Sequence, residues 1–130
     1  MTGDKFRRRF AVTLPETFEW RSVCPISSAL DVIGDRWSLI LIRDLLMHGT
    51  RTYSQFADAQ EHISTNILAS RLELLTCLKL IERVNPTGSP RNNAYQLTER
   101  GAALRPVLEG LGHWAQTHLA EFHGDIVGLP

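Results

Sequence analysis

Two cysteines in 130 residues are too few to make a disulfide scaffold. No apolar run is long enough to span a bilayer as a helix. The start of the chain is basic through Lys5, Arg7, Arg8 and Arg9, but no apolar stretch of signal-peptide type follows it. These absences lead to the expectation of a cytoplasmic protein. Internal repeats and low-complexity segments are also missing. So are a Gly-rich phosphate loop, a nucleophile elbow and metal-ligand spacing, which leaves a small enzyme without support and calls for no cofactor. His113, His118 and His123 stand five residues apart, which turns successive rings about 140° around a helix. His48 and His62 stand alone, so no metal site is expected.

Net charge is missing too, with 14 basic and 14 acidic residues, which argues mildly against a nucleic-acid partner. The distribution softens that objection. Residues 1–23 and 64–97 each carry net +2, whereas 24–63 and 98–130 each carry net −2. Affinity for DNA follows the local field and the phosphate contacts rather than the sum over the molecule.

What is present is an ordinary globular composition, 43% apolar and 22% charged, in a chain of single-domain length. The expected organisation is an arm over 1–23, a domain over 24–122 and a tail over 123–130. Pro25 suits the first turn of a short helix whose apolar side is Ile26, Ala29, Leu30 and Ile33, and Gly34 ends it. Asp35 can cap a second helix over 36–47, almost wholly apolar and therefore central. A brief strand over 51–53 and a short helix capped by Ser54 come next. Ser64 caps a fourth helix with Leu68, Leu72 and Leu75 on its core face. Strands over 81–85 and 94–97 flank a turn-rich tip. Thr98 caps a last helical region running to about residue 122, which Pro106 should kink or split.

The opposite face of the fourth helix is the informative one. Thr65, Asn66, Ala69 and Ser70 carry almost no bulk or charge, where a helix needing only solubility would show Lys and Glu. Such a face lets the backbone approach another surface closely, as the major groove of DNA allows. A helix of this kind followed by a two-stranded ribbon is the order of parts in a winged helix-turn-helix. The expected fold is therefore mainly α with a small β-wing.

The chain resembles the HxlR family of bacterial winged-helix transcriptional regulators over roughly Cys24 to Leu119. The resemblance rests on Cys24-Pro25, on 29–37 (ALDVIGDRW), on Leu45-Leu46, on 63–68 (ISTNIL), on Arg71-Leu72, on 80–83 (LIER) and on 95–101 (YQLTERG). It implies a DNA-binding homodimer packed through its N- and C-terminal helices. Each subunit would then present one reading helix and one wing. It also implies that Cys24 matches a position used as a thiol sensor in some members. Three departures stand out. Lys79 replaces the usual Gly at the end of the reading helix, Thr52 stands where a basic residue is common, and the N-terminal arm is long.

Thr65, Asn66, Ser70 and Arg71 are the base- and backbone-facing candidates, since Asn pairs bidentately with adenine and Arg with guanine or phosphate. The alternative is a solvated face, with Arg71 in an internal ion pair. Arg83 and Arg91 are the wing candidates for phosphate or the minor groove. Cys24, just before a helix N-terminus and near Arg21, is a candidate thiol sensor or a small buried hydrophobe. Cys77 reads as packing. Ile26, Leu30, Leu111, Trp114 and His118 are the expected dimer interface; Trp20 and Trp37 read as core or dimer anchors. The function expected is operator binding as a homodimer on an inverted repeat, with repression the usual outcome and activation left open. A thiol-based or small-molecule effector is a candidate input. The rival is a winged-helix protein-interaction module without DNA binding, which should show aromatics or Leu on the reading face.

Overall fold

The structure is a computed structural model and describes residues 18–89 and 93–128. The elements run α1 (Pro25–Ile33), α2 (Ser38–His48), β1 (Thr50–Thr52), α3 (Tyr53–Ala57), α4 (Thr65–Cys77), β2 (Ile81–Arg83), β3 (Ala94–Leu97), α5 (Glu99–Ala102) and α6 (Arg105–His118). Strand order is β1-β3-β2, antiparallel throughout, with Arg51 and Arg83 both opposite Tyr95. No helix among the described residues is long and apolar enough to cross a membrane.

The core is the meeting of three helices and this sheet. Leu41, Ile42 and Leu45 of α2 pack with Phe56, Ile63, Leu68, Leu72, Leu75, Leu80, Ile81 and Tyr95. The i, i+4, i+7 spacing of Leu68, Leu72 and Leu75 is what turns one face of α4 inward.

Several boundaries differ from the sequence reading. The first ribbon strand ends at Arg83 rather than Asn85, the second spans 94–97 as expected, and β1 adds a third strand to the outer edge of β3, because the extended run before α3 can pair there. Thr52, not Ser54, caps α3: its hydroxyl accepts from the Gln55 amide while the Gln55 side chain accepts from the Thr52 amide, a capping box. The residue in the place of a common basic position thus has a structural task. The last helical region is split as Pro106 requires, but it ends at His118 rather than near 122. The apolar side of α1 does not face its own core, since Ile26 is 72% and Leu30 51% exposed. Val32 is the α1 residue that packs inward.

Two backbone features hold the end of α4 in place. Lys79 has φ of 63°, the left-handed conformation in which Gly is cheapest. It does so to close a Schellman motif: the Leu80 amide donates to the Leu75 carbonyl and the Lys79 amide to the Thr76 carbonyl. Gly101 sits where α5 meets the chain after α4, and a Cβ there would collide with the Leu80 carbonyl oxygen. Thr98 Oγ1 bonds the same carbonyl at 3.1 Å, and Arg100 donates to the Leu78 carbonyl at 3.0 Å. The carbonyl end of α4 is therefore satisfied from the start of α5.

Candidate nucleic-acid interface

Ser64 begins α4 as expected, its hydroxyl accepting from the Ile67 amide at 3.4 Å. Tyr53 donates its hydroxyl to the Thr65 carbonyl at 2.8 Å, which fixes the first turn of α4 against α3. With Leu68, Leu72, Leu74 and Leu75 buried, Thr65, Asn66, Ala69 and Ser70 are left on the exposed side. No aromatic or Leu lies among these four, which are small and mostly polar; Ile67, 42% exposed, is the large apolar side chain beside them.

Two grooves flank this face. One, of about 510 Å³, separates α4 from the sheet and is walled by Thr65, Asn66 and Glu73 on the helix and by Tyr53, Arg83 and Tyr95 opposite. Half-buried Cys77 reaches the same groove, so it is less a packing residue than its position suggested. The other, of about 570 Å³, lies towards the start of α2 and brings Asn66, Ser70 and Arg71 together with Asp35, Arg36 and Trp37.

Arg71 is not a free cation. Its Nη1 lies 3.5 Å from Asp35 Oδ1. α2 starts at Ser38 with Trp37 at its N-cap, two residues later than the sequence suggested, so Asp35 lies in the turn before it and bonds into its start: Oδ2 accepts from the Trp37 and Ser38 amides at 2.9 and 3.0 Å, and Oδ1 accepts from Ser38 Oγ at 2.6 Å. Desolvation pushes this carboxyl up, but the Ser38 and Trp37 hydrogen bonds and the Arg71 charge outweigh it and hold its pKa below the ordinary value.

In the wing, Arg83 Nη1 donates to the Gly88 carbonyl at 3.3 Å, which anchors the guanidinium stem near the tip. Asn93, almost fully buried, accepts from the Asn85 amide at 2.9 Å and returns a hydrogen bond to the Asn85 carbonyl. The sequence marked Asn93 only as a turn residue; its role as the clasp of the wing neck has no local signal. Arg91 lies outside the described residues.

Cys24 is exposed, so the buried-hydrophobe reading does not hold within one chain. Arg21 does not serve it: that guanidinium bonds the Asp31 carboxylate and reaches the Ser27 carbonyl at 3.4 Å. Ile26 and Leu30 of α1 and Leu111 (50%) and Trp114 (56%) of α6 stay exposed, with the His118 ring 5.6 Å from that of Trp114. Trp37 packs against the core and Trp20 meets Phe18 edge-on at 4.9 Å.

Known proteins share this arrangement. A helix-turn-helix transcriptional regulator of Mycobacterium tuberculosis is 33% identical over 116 residues, 89% of this chain and 70% of its own. One from Synechocystis is 38% identical over 92 residues, 70% of this chain and 67% of its own. The regulator YodB of Bacillus subtilis is 33% identical over 95 residues, covering 72% and 84%. The structure of reduced YodB superposes with a TM-score of 0.61 at 32% identity, covering 75% of this chain and 95% of YodB. YodB has also been solved bound to quinone. The HxlR-like helix-turn-helix profile matches residues 32–123, most of the chain, and with these relatives it shows that the protein belongs to the HxlR-like helix-turn-helix family of transcriptional regulators.

Proposed function

We propose that this helix-turn-helix regulator binds an inverted-repeat operator as a homodimer and acts as a repressor. The observation that carries the DNA reading is the small polar face of α4, exposed between two arginine-bearing grooves. A protein-docking module would expose aromatics or Leu there. Thr65, Asn66 and Ser70 contact bases or the adjoining backbone, and Arg83 and Arg91 contact phosphate or the minor groove from the wing. A second copy covers Ile26, Leu30, Leu111, Trp114 and His118, which explains why two amphipathic helices keep their apolar sides out of their own core. Two-fold symmetry then matches a two-fold operator. A repressor role fits a dimer that occupies its operator and so blocks the promoter there.

Cys24 is the thiol on which an oxidant or quinone acts. It is exposed and precedes α1, a helix of the proposed seam, so its modification would alter the spacing of the two reading helices. Quinone-bound YodB supports that class of effector.

Selection of binding duplexes from a randomised pool tests the reading. The expected product is an inverted repeat whose half-sites are roughly one helical turn, about 34–36 Å, apart or a multiple of that. Recovery of no motif, together with no salt-dependent mobility shift on any duplex, would point to the interaction module instead.

A further inference from the structure

The groove between α4 and the start of α2 holds a cation that the reading helix and wing do not supply. Arg36 is exposed, and none of the ion pairs among the described residues includes it. Its guanidinium carbon lies 5.5 Å from the centroid of the Trp37 ring, which stacks it and limits its directions. Asp35 does not neutralise it, because that carboxylate is already engaged by two amides, the Ser38 hydroxyl and Arg71. Two arginines therefore share a groove with one carboxylate, and the same groove contains Asn66 and Ser70.

We propose that Arg36, beside Arg71, binds the phosphate backbone along the edge of the major groove that receives α4. This rests on the DNA-binding reading above and extends it to a third element. A helix with its side chains is about 10–12 Å across and the major groove about 12 Å wide, so the sugar-phosphate strands run against the flanks of an inserted helix. Arg83 faces one flank from the wing. Arg36, in the turn before α2, and Arg71, on α4 itself, lie in the groove along the other. Asp35 takes the Trp37 and Ser38 amides, and the contact assigned to this flank is made by the guanidinium.

The test is a salt titration of Arg36→Ala, Arg36→Gln and Arg36→Lys against wild type. The probes are a labelled random-sequence duplex and the best duplex returned by selection from a randomised pool. Removing one phosphate contact should shrink the slope of log K against log salt by about 0.9. Arg36→Ala and Arg36→Gln should both show that loss, with affinity falling by the same factor on the two duplexes, and Arg36→Lys should keep the wild-type slope. Gln retains the stem that lies on Trp37, so agreement of the two variants separates lost charge from lost packing. An unchanged slope, or a loss confined to the selected duplex, overturns the backbone assignment of Arg36 while leaving DNA binding intact. A wild-type protein that shifts neither duplex overturns the DNA reading and this inference together.

Discussion

Asp35 Oδ1 and Arg71 Nη1 stand 3.5 Å apart, joining the start of α2 to the reading helix by its one basic residue. The pair makes Arg71 a brace between α4 and the turn before α2. Its guanidinium is pre-oriented along the groove, and Asp35 must stay ionised to hold it. A carboxyl whose folded pKa is depressed contributes stability that is present above its unfolded pKa and lost as pH falls through the folded one. Asp31 and Glu61 are depressed in the same direction, Asp31 chiefly by the Arg21 amide and Glu61 chiefly by the Arg43 hydrogen bonds.

Stability should therefore be flat on the acidic side until the ordinary carboxylate values of 3.8 for Asp and 4.5 for Glu are approached, then fall as pH drops below them. Asp35→Asn removes one of these groups and should lower stability near neutrality while making the acid limb shallower. Urea midpoints measured down a pH series check this; a mutant curve parallel to wild type would mean Asp35 titrates alike in both states.

The reading face gives a second prediction. Asn66→Ala and Ser70→Ala should weaken binding to operator duplex with little effect on scrambled duplex, because a base contact carries sequence information worth roughly 1–3 kcal/mol for a good bidentate pair. Arg91→Ala should weaken both. Equal losses for Asn66→Ala on the two duplexes would move that residue from base to backbone.

Arg43 gives a third. It donates to Glu61 at 2.8 and 3.0 Å and to Asp44 Oδ1 at 2.8 and 3.0 Å, tying α2 to the turn before α4. Glu61 is solvent-screened and contributes little by itself. Asp44 has a side chain only 5% exposed, so Arg43→Ala leaves a buried charge without its partner and should cost about 3–5 kcal/mol. Adding Asp44→Asn should restore part of the loss in chemical denaturation.

These cases separate what the sequence discloses from what it hides. The apolar period of Leu68, Leu72 and Leu75, the Ser64 cap and the Pro106 break are local signals, and each appears in the fold where the sequence puts it. The partner of Arg71, the clasp of Asn93 and the pairing of β1 with β3 depend on residues brought close only by the tertiary fold. Ser54 and Thr52 are both competent caps two residues apart; the Gln55 side chain decides between them by completing the box with Thr52. The exposed sides of α1 and α6 were legible as apolar, but periodicity alone does not say whether such a stripe faces its own core.

The C-terminal end of α4 gives a fourth prediction, with two signs. Lys79→Gly should stabilise by up to about 1 kcal/mol, since it relieves a left-handed side chain yet adds unfolded-state freedom. Gly101→Ala should destabilise by about 1–3 kcal/mol, because the Leu80 carbonyl it meets is backbone already bonded to Thr98 and has no slack to move. Thermal unfolding of the two variants should shift in opposite directions.

The last prediction concerns the seam. Leu111 and Trp114 lie on α6 with half or more of their surface in water, and Ile26 and Leu30 do the same on α1. Leu104 and Leu108, at the start of the same stripe, pack on the core, whereas Leu111 and Trp114 further along it are left uncovered by their own chain. Leu111→Glu would place a charge in the proposed dimer seam, where burial of an unpaired carboxylate opposes association. Sedimentation should give a dimer for wild type and a monomer for the variant. Circular dichroism should be unchanged, because Leu111 contributes nothing to the buried core of its own chain. The monomer should lose operator affinity far more than affinity for scrambled duplex, since joint engagement of two half-sites is what the second copy supplies. An unchanged dimer would move the interface off this face, and a monomer with full operator affinity would show that one reading helix and one wing suffice.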